Sequence, residues 1–284
     1  MSAPPTLSVD DLFDRYEALL IDAYGVLVHT TGAFPGAVEF VDRLHETGMP
    51  YAVITNDASR LPESCVEKYR GDGLDIPLER VITSGSLVIE YIEEHGLVGA
   101  DCLVLGTGDS RRYVERAGAH PVEAEAGDFD ALIVCDESGF EFIPTVEGAL
   151  TTLIRKFDAG ESPHLVLPNP DLIYQRAVNS YGITSGSVAA IFERALRARY
   201  PGRDLTFERL GKPHAPMYER AVERVGTNNC AVLGDQLVTD IKGANDYGLD
   251  SVLVATGLTD TDNALAHSPV EPDYLLETLV DEDV

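Results

Sequence analysis

The stretch ALLIDAYGVL, residues 18–27, decides the fold of this chain. Its leading apolar residues predict a short buried strand, and Asp22 stands at the end of that strand. A carboxylate in this position is costly unless it is paired or binds a cation, and Gly25 marks a tight departure of the backbone. Because ligands bind at the carboxyl ends of strands in open α/β sheets, we expect a functional site at Asp22.

Polar residues also follow three other apolar runs of the chain. They supply a hydroxyl, an amide, an ammonium and a second carboxylate: Thr55, Asn56, Lys212 and Asp235. Together with Asp22 they form a complete set for phosphoryl transfer, because that reaction depends mainly on positioning and charge stabilisation.

Strand-like and helix-like segments alternate along the chain, which is typical of a parallel sheet covered by helices. The sequence therefore predicts an α/β protein with a Rossmann-like parallel-sheet core. The predicted strands cover residues 18–23, 50–55, 80–83, 101–105, 131–135, 164–167, 230–234, 250–254 and 274–276. The predicted helices cover residues 37–47, 61–71, 86–95, 109–117, 145–158, 186–199, 215–225 and 239–247.

The middle of the chain can form a βα unit of its own, between two halves that each hold part of the polar set. We therefore expect an inserted α/β cap domain at residues 89–204, in a hydrolase core built from residues 1–88 and 205–284. Within the insertion, residues 168–171 (PNPD) predict a rigid turn.

Composition limits the partners of this chain. Asp and Glu number 48 against 21 Lys and Arg, which gives a net charge of −27. Such a charge repels nucleic acid and anionic membranes, so neither is expected as a partner; it fits both a high-salt host and an ordinary acidic protein. No apolar stretch is long enough to span a bilayer and residues 1–10 lack a secretory pattern, so we expect a cytoplasmic protein.

Four cysteines occur in the chain, and none forms a CxxC pair. Buried thiols are therefore favoured over zinc ligands or disulfides.

Four motifs in order resemble those of the haloacid dehalogenase superfamily, and within it the class IIA branch of nitrophenyl, sugar and nucleotide phosphatases. The motifs are residues 22–26 (DAYGV), 55–57 (TND), 211–213 (GKP) and 234–241 (GDQLVTDI), and the Asn-Pro-Asp of the family's cap stands at 169–171. A single aspartate or lysine of this kind is usually a turn, cap or surface residue. The joint pattern and the insertion between the second and third motifs make the resemblance specific.

The resemblance implies a Mg²⁺-dependent hydrolase of a small phosphomonoester, acting on a phosphorylated metabolite through an aspartyl-phosphate. Asp22 is then the nucleophile, and Lys212 neutralises charge on the nucleophile and the phosphoryl group. Thr55 and the backbone at Asn56 donate hydrogen bonds to the phosphoryl oxygens.

The same resemblance implies a magnesium site and a cap that selects the substrate. Oxygen ligands of the kind Mg²⁺ prefers come from Asp22, Asp235, Asp240 and the carbonyl of Tyr24. In the cap, Asn169 and Asp171 are expected to contact the substrate. Caps of this type often pair, which implies a homodimer through the cap.

Tyr24 departs from the family pattern, because the phosphatases carry a second aspartate there as the general acid–base. Tyr24 remains a catalytic candidate, because a phenol can donate a proton, but with a reference pKa near 10 it is a poor base at neutral pH. Turnover is therefore expected to suffer more than binding. Asp57 and His29 lie near the motifs and could replace the missing group, but we interpret them as structural.

Two alternatives stay open at this point. A dehalogenase-like hydrolase would use Asp22 on carbon and needs no metal, so metal dependence separates it from a phosphatase. A catalytically impaired protein would bind a phosphate ligand without turnover, and Tyr24 is the residue that supports it.

Overall fold

The structure is a computed structural model that describes residues 4–124, 127–177, 180–256, 265 and 268–280. In chain order, its strands and helices are β1 (Thr6–Leu7), α1 (Val9–Arg15), β2 (Ala18–Asp22), β3 (Val28–His29), β4 (Gly32–Ala33), α2 (Ala37–Thr47), β5 (Tyr51–Thr55), α3 (Pro62–Gly71), β6 (Val81–Thr83), α4 (Leu87–Glu94), β7 (Asp101–Leu105), α5 (Gly108–Arg116), β8 (His120–Val122), β9 (Ala131–Val134), α6 (Phe142–Asp158), β10 (His164–Leu167), β11 (Ile173–Ala177), β12 (Ser180–Ile183), α7 (Ser185–Arg199), β13 (Glu208–Arg209), α8 (Ala215–Val225), β14 (Cys230–Gly234), α9 (Lys242–Tyr247), β15 (Asp250–Val254) and β16 (Tyr274–Leu276).

The chain divides into two compact units. The first contains the residues up to Thr55, Pro62–Ile82 and the residues from Lys212 onward; the second contains Asn56–Leu61 and Thr83–Gly211. The second unit extends beyond the predicted insertion 89–204 at both ends. This is because α4 packs against α5 and β13 pairs with β10.

A seven-stranded sheet in the order β1-β16-β15-β14-β2-β5-β6 forms the centre of the first unit. The first five neighbouring pairs in this order, from β1–β16 to β2–β5, are parallel. The three strands β2, β5 and β14 are buried along their whole length, as expected for parallel strands with both faces covered. The predicted Rossmann-like parallel-sheet core is confirmed.

Strand β2 lies between β14 and β5, with Ile21 opposite Leu233 and Asp22 opposite Ile54. The carboxyl ends of the three strands therefore lie at one edge of the sheet. On one face of this sheet, apolar side chains such as Leu12 and Phe40 pack into a continuous core. Burial of each such side chain contributes about 1.5–3 kcal/mol, and this packing fixes the strand ends.

The second unit has a five-stranded sheet of its own, in the order β13-β10-β9-β7-β8, and all its pairs are parallel. Its core is formed largely by leucines, valines and the aromatic rings of Phe157, Phe192 and Phe207. An antiparallel hairpin of β11 and β12 also belongs to this unit. The unit is thus an α/β structure, as the sequence predicts for the insertion.

Some elements differ from the sequence predictions. Helix α1 was not predicted, although Ser8 and Asp11 form a capping box at its start. The predicted helix 239–247 begins instead as a turn of π-helix at Leu237–Ile241 that continues into α9.

Among the helices that the structure describes, none is both long enough and apolar enough to cross a membrane.

Candidate active site

Three strand ends of the first unit bring the predicted site residues together: Asp22 ends β2, Thr55 ends β5 and Asp235 follows β14. The ammonium of Lys212 lies among them. Its Nζ atom donates to Asp22 Oδ1 at 2.6 Å and to Asp240 Oδ1 at 2.7 Å, and the carbonyl of Ile54 lies at 3.4 Å. One buried ammonium therefore bridges two buried carboxylates.

The electrostatics of this cluster follow from burial and from its carboxylates. Burial raises the pKa of the Asp22 carboxyl; Lys212 opposes this, while the carboxylates of Asp240 and Asp235 add to it. Burial alone lowers the pKa of Lys212, but Asp22 and Asp240 outweigh it and raise that pKa well above its usual value. Lys212 therefore carries its positive charge, and carboxylates outnumber ammonium groups in the cluster.

The third carboxylate, that of Asp235, is fully buried. It lies against the backbone of Gly25, which has a φ of +96°, and a Cβ atom on Gly25 would come within 2.2 Å of Asp235 Cγ. Glycine is therefore required here both for its conformation and for the space it leaves. The Oδ1 atom of Asp235 accepts no hydrogen bond among the described residues, although Asp235 has other interactions.

The three carboxylates fit a divalent cation. One oxygen from each of Asp22, Asp235 and Asp240 lies within 4.8 Å of the others, and all three residues are buried. Mg²⁺ and Ca²⁺ take oxygen ligands, and Mg²⁺ is usually held by one or two carboxylates with waters and substrate oxygens. The donor set of this site is therefore suited to a hard cation.

Three predicted substrate-binding residues meet in the second unit. Asn56 Nδ2 donates to Asp171 Oδ1 at 3.0 Å, and Asn169 Oδ1 accepts from the backbone N–H of Asp171, also at 3.0 Å. The structure thus joins Asn56 to Asn169 and Asp171, of which Asp171 lies 115 positions further along the chain, in one hydrogen-bonded group.

Tyr24 is half-buried, and its side chain packs against the apolar core of the first unit. The ammonium of Lys68, on α3, lies 5.2 Å from the centre of its ring and donates to Asp72 Oδ2 at 2.9 Å. Burial lowers the pKa of Lys68, but the contacts with Asp72 and Tyr24 raise it above its usual value. These contacts hold the ring of Tyr24 against α3.

Comparison with known proteins identifies the family. A family described as haloacid dehalogenase-like hydrolase matches residues 19–120, and one described as HAD-hydrolase-like matches residues 209–282. The crystal structure of a possible sugar phosphatase from Cytophaga hutchinsonii is 30% identical with a TM-score of 0.86, and the match covers 99% of this chain and 100% of that one. This chain belongs to the haloacid dehalogenase-like hydrolases.

Two further relatives of this hydrolase carry phosphatase names. The dihydroxyacetone phosphatase of Corynebacterium glutamicum is 27% identical over 266 residues, which cover 92% of this chain and 89% of that protein. The glycerol phosphate phosphatase of Mycobacterium tuberculosis, solved in complex with calcium, is 25% identical with a TM-score of 0.77; the match covers 94% of this chain and 75% of that one. The haloacid dehalogenase-like hydrolase described here is thus phosphatase-like and of class IIA.

One contributor to the site of this hydrolase was missed by sequence reasoning. The buried hydroxyl of Tyr218, on α8, lies 3.2 Å from the carbonyls of both Thr239 and Asp240 and fixes the turn that presents the Asp240 carboxylate. Tyr218 stands on the buried, apolar face of α8, where a tyrosine usually indicates only packing, so no motif could have indicated its role.

The two candidates for a substitute acid–base have contacts of a structural kind. Asp57 Oδ1 accepts hydrogen bonds from the backbone N–H groups of Ser59 and Arg60 and so holds its own loop. His29 Nδ1 lies 2.9 Å from the Thr31 hydroxyl in the turn between β3 and β4. These contacts agree with the interpretation that both residues are structural.

Proposed function

We propose that this chain is a Mg²⁺-dependent phosphatase that hydrolyses a small phosphorylated metabolite through an aspartyl-phosphate on Asp22. The observation that carries the proposal is the buried cluster in which Lys212 bridges Asp22 and Asp240 beside Asp235. Nucleophile, ammonium and a suitable donor set for a cation thereby stand at one edge of the sheet, which is the arrangement phosphoryl transfer needs.

In the proposed reaction, a carboxylate oxygen of Asp22 attacks phosphorus, the bond to the leaving oxygen breaks, and that oxygen takes up a proton from solvent. Water then attacks the aspartyl-phosphate, which releases inorganic phosphate and regenerates the Asp22 carboxylate. Lys212 orients the attacking carboxylate through its 2.6 Å hydrogen bond. Thr55 and the backbone N–H of Asn56 donate to the phosphoryl oxygens. When bound by Asp22, Asp235, Asp240 and the carbonyl of Tyr24, Mg²⁺ supplies positive charge that offsets the charge of the phosphoryl group.

The relatives support a small phosphorylated substrate, because their names refer to dihydroxyacetone, sugar and glycerol phosphate phosphatases. The calcium complex of the mycobacterial relative supports a divalent cation. Asp235 and Asp240 also favour a metal-dependent phosphatase over a dehalogenase acting on carbon, which has no use for three carboxylates in a cluster.

The position of Tyr24 favours a second candidate, a phosphate-binding protein with little turnover. Its phenol is held by Lys68 and the core, and a missing general acid–base typically removes about 10²–10⁴ in rate. This candidate and the phosphatase share the same ligands and differ in turnover.

Hydrolysis of 4-nitrophenyl phosphate, with Mg²⁺ and with EDTA, tests the proposal. We expect turnover that requires Mg²⁺ and is abolished in Asp22→Asn. Tyr24→Asp is expected to raise turnover by up to about 10²–10⁴, and Tyr24→Asn, which has similar size but no acid, serves as its control. Wild-type turnover that persists in EDTA or in Asp22→Asn would contradict the proposal; tight binding of phosphate with turnover only in Tyr24→Asp would favour the second candidate.

A further inference from the structure

The turn at residues 168–172 of the second unit is held by hydrogen bonds to its backbone. Asn169 Oδ1 accepts from the N–H of Asp171 at 3.0 Å, and the hydroxyl of Ser185 donates to the carbonyl of Asn169 at 2.9 Å. The carbonyl of Asp171 accepts from the N–H of Gly186 at 3.0 Å and from the hydroxyl of Thr184. The backbone of Asp171 is therefore fixed independently of the contacts of its side chain.

The Asp171 carboxylate is directed at Asn56. Its Oδ1 atom accepts from Asn56 Nδ2 at 3.0 Å, and Asn56 is only 7% exposed. Hydrogen bonds to an ionised carboxylate are roughly twice as strong as those between neutral groups. This contact therefore fixes the orientation of the buried amide.

Two further contacts enclose Asn56. The hydroxyl of Ser84, itself fully buried, donates to the Asn56 carbonyl at 2.8 Å. The amide oxygen of Asn56 lies against Gly211, where a Cβ atom would come within 2.5 Å of it, and the N–H of Gly211 donates to the carbonyl of Pro168 at 2.9 Å. The backbone, the amide oxygen and the amide nitrogen of Asn56 are each held.

The chain neighbours of these residues give the contacts a role in the reaction. Asn56 directly follows Thr55, and Gly211 directly precedes Lys212. An error of about 1 Å in the placement of such groups costs on the order of 10²-fold in rate. Because the Asp171 side chain fixes Asn56 against Gly211, it limits the freedom of two segments that lead into the proposed site, Thr55–Asn56 and Gly211–Lys212.

We propose that Asp171 is a positioning residue that orients the Thr55–Asn56 segment for phosphate binding, and that it does not contact the organic part of the substrate. The inference rests on the proposed phosphatase function and replaces the expectation that Asp171 selects the substrate. A residue that selects substrates changes the rates of different phosphate esters unequally. A residue that positions the phosphate-binding segment changes them all by the same factor, and it changes the affinity for inorganic phosphate as well.

The first test is Asp171→Ala, assayed with 4-nitrophenyl phosphate, glycerol phosphate and acetyl phosphate, with inorganic phosphate as a competitive inhibitor. Loss of a hydrogen bond to a charged group corresponds to about 10- to 100-fold. We expect kcat/KM to fall by such a factor for all three substrates, and the inhibition constant of phosphate to rise. A loss confined to one substrate, with phosphate inhibition unchanged, would overturn the inference.

Asp158→Ala is a matched control in the same unit. Asp158 also accepts a hydrogen bond from a distant residue, the hydroxyl of Tyr200 at 2.7 Å, but it has no link to Thr55 or Lys212 along the chain. We expect this variant to keep the wild-type kinetics.

An exchange of the two side chains provides a rescue. Asn56→Asp sets two carboxylates against each other, and we expect a loss at least as large as that of Asp171→Ala. Adding Asp171→Asn to this variant restores one donor facing one carboxylate, and we expect kcat/KM to return to within about tenfold of the wild type, as a coupled pair requires. A double variant no better than Asn56→Asp would overturn the inference.

Amide hydrogen exchange separates failure of this inference from failure of the proposed function. In Asp171→Ala we expect faster exchange in residues 54–57 and 210–212, with the free energy of global unfolding close to that of Asp158→Ala. A wild type that neither turns over any phosphate ester nor binds phosphate would contradict the proposed function, and the exchange of these two segments would still decide the positioning role. Unchanged exchange in both segments would overturn it.

Discussion

Replacing Lys212 by methionine tests whether one ammonium holds the carboxylate cluster together. The Lys212 side chain is 4% exposed, and its partners Asp22 and Asp240 are 7% and 0% exposed. Methionine retains most of the apolar stem of lysine but removes the charge. Two buried carboxylates then lose the cation they share, together with hydrogen bonds of 2.6 and 2.7 Å.

The expected cost follows from this burial. Removing one partner of a buried ion pair costs about 3–5 kcal/mol, because an uncompensated charge stays buried. Since two carboxylates lose their cation here, we expect a loss in the upper half of that range, about 4–5 kcal/mol. Such a loss corresponds to roughly a 10³-fold change in the folding equilibrium.

Urea unfolding in EDTA measures this loss, with Lys68→Met as the control. Lys68 pairs with Asp72, but the two side chains are 30% and 21% exposed, and such partly exposed pairs contribute about 0–1 kcal/mol. Mg²⁺ at 100 times its dissociation constant stabilises a protein by about 2.7 kcal/mol. At one and the same Mg²⁺ concentration, we expect a larger gain in Lys212→Met than in the wild type, because the variant lacks the ammonium that repels the cation and so has the lower dissociation constant.

A loss in Lys212→Met no greater than that in Lys68→Met would refute the reasoning. It would show that the carboxylates of the cluster are compensated by solvent or by their own protonation, and that the bridging ammonium is not what stabilises them.

Three further predictions follow from the structure. Gly25→Ala places a Cβ atom within 2.2 Å of Asp235 at a φ of +96°, and we expect calorimetry to show that the variant no longer binds Mg²⁺. The control Gly48→Ala, at a φ of +70° in open space, should lose only about 1–2 kcal/mol of folding free energy and should still bind Mg²⁺. Equal Mg²⁺ affinities of the two variants would contradict the prediction. Burial and the neighbouring His95 lower the pKa of His164. The stability that His164 contributes is therefore present above about pH 6.5, the pKa of the unfolded state, and is lost as the pH falls through the lower pKa of the folded state. In His164→Gln, the free energy of unfolding in urea should depend less on pH in this range. An unchanged pH dependence would contradict the prediction. Burial raises the pKa of the Cys102 thiol to about 12 and that of the Cys230 thiol to about 11, and all four cysteines of the chain are buried: Cys65, Cys102, Cys135 and Cys230. Ellman's reagent at pH 8 should therefore leave the native protein unmodified and react with these thiols only after unfolding. Rapid reaction of the native protein would contradict their burial.

The parallel core could be predicted because its strands are continuous apolar runs, such as residues 18–21 and 230–233, separated by helical patterns. The order of the strands could not. Strand β1 pairs with β16, at the other end of the chain, and no local pattern specifies so distant a partner. Helix α1 was predictable in principle, since Ser8 and Asp11 have the spacing of a capping box.

The candidate active site of the first unit and the hydrogen-bonded group of the second unit could be predicted to different extents. The carboxyl ends of parallel strands lie at one edge of their sheet, so the strand pattern alone could place Asp22, Thr55 and Asp235 at that edge. That they are close neighbours there depends on the strand order, which only the structure gives. The hydrogen bond between Asn56 and Asp171 joins residues 115 positions apart. It depends on a turn held by backbone contacts, and spacing along the sequence carries no information about it.

The charge of the cluster bears on how an anionic substrate can enter at all. The chain carries a net charge of −27, and Lys212 already shares its ammonium between Asp22 and Asp240. It therefore offers little attraction to an incoming phosphate, while the buried carboxylates repel it strongly in a site of low dielectric constant. A divalent cation among the three carboxylates would reverse the sign of the local field. The excess of carboxylates over ammonium groups, which is unfavourable for folding alone, is thus what a metal-dependent reaction on phosphate requires of this site.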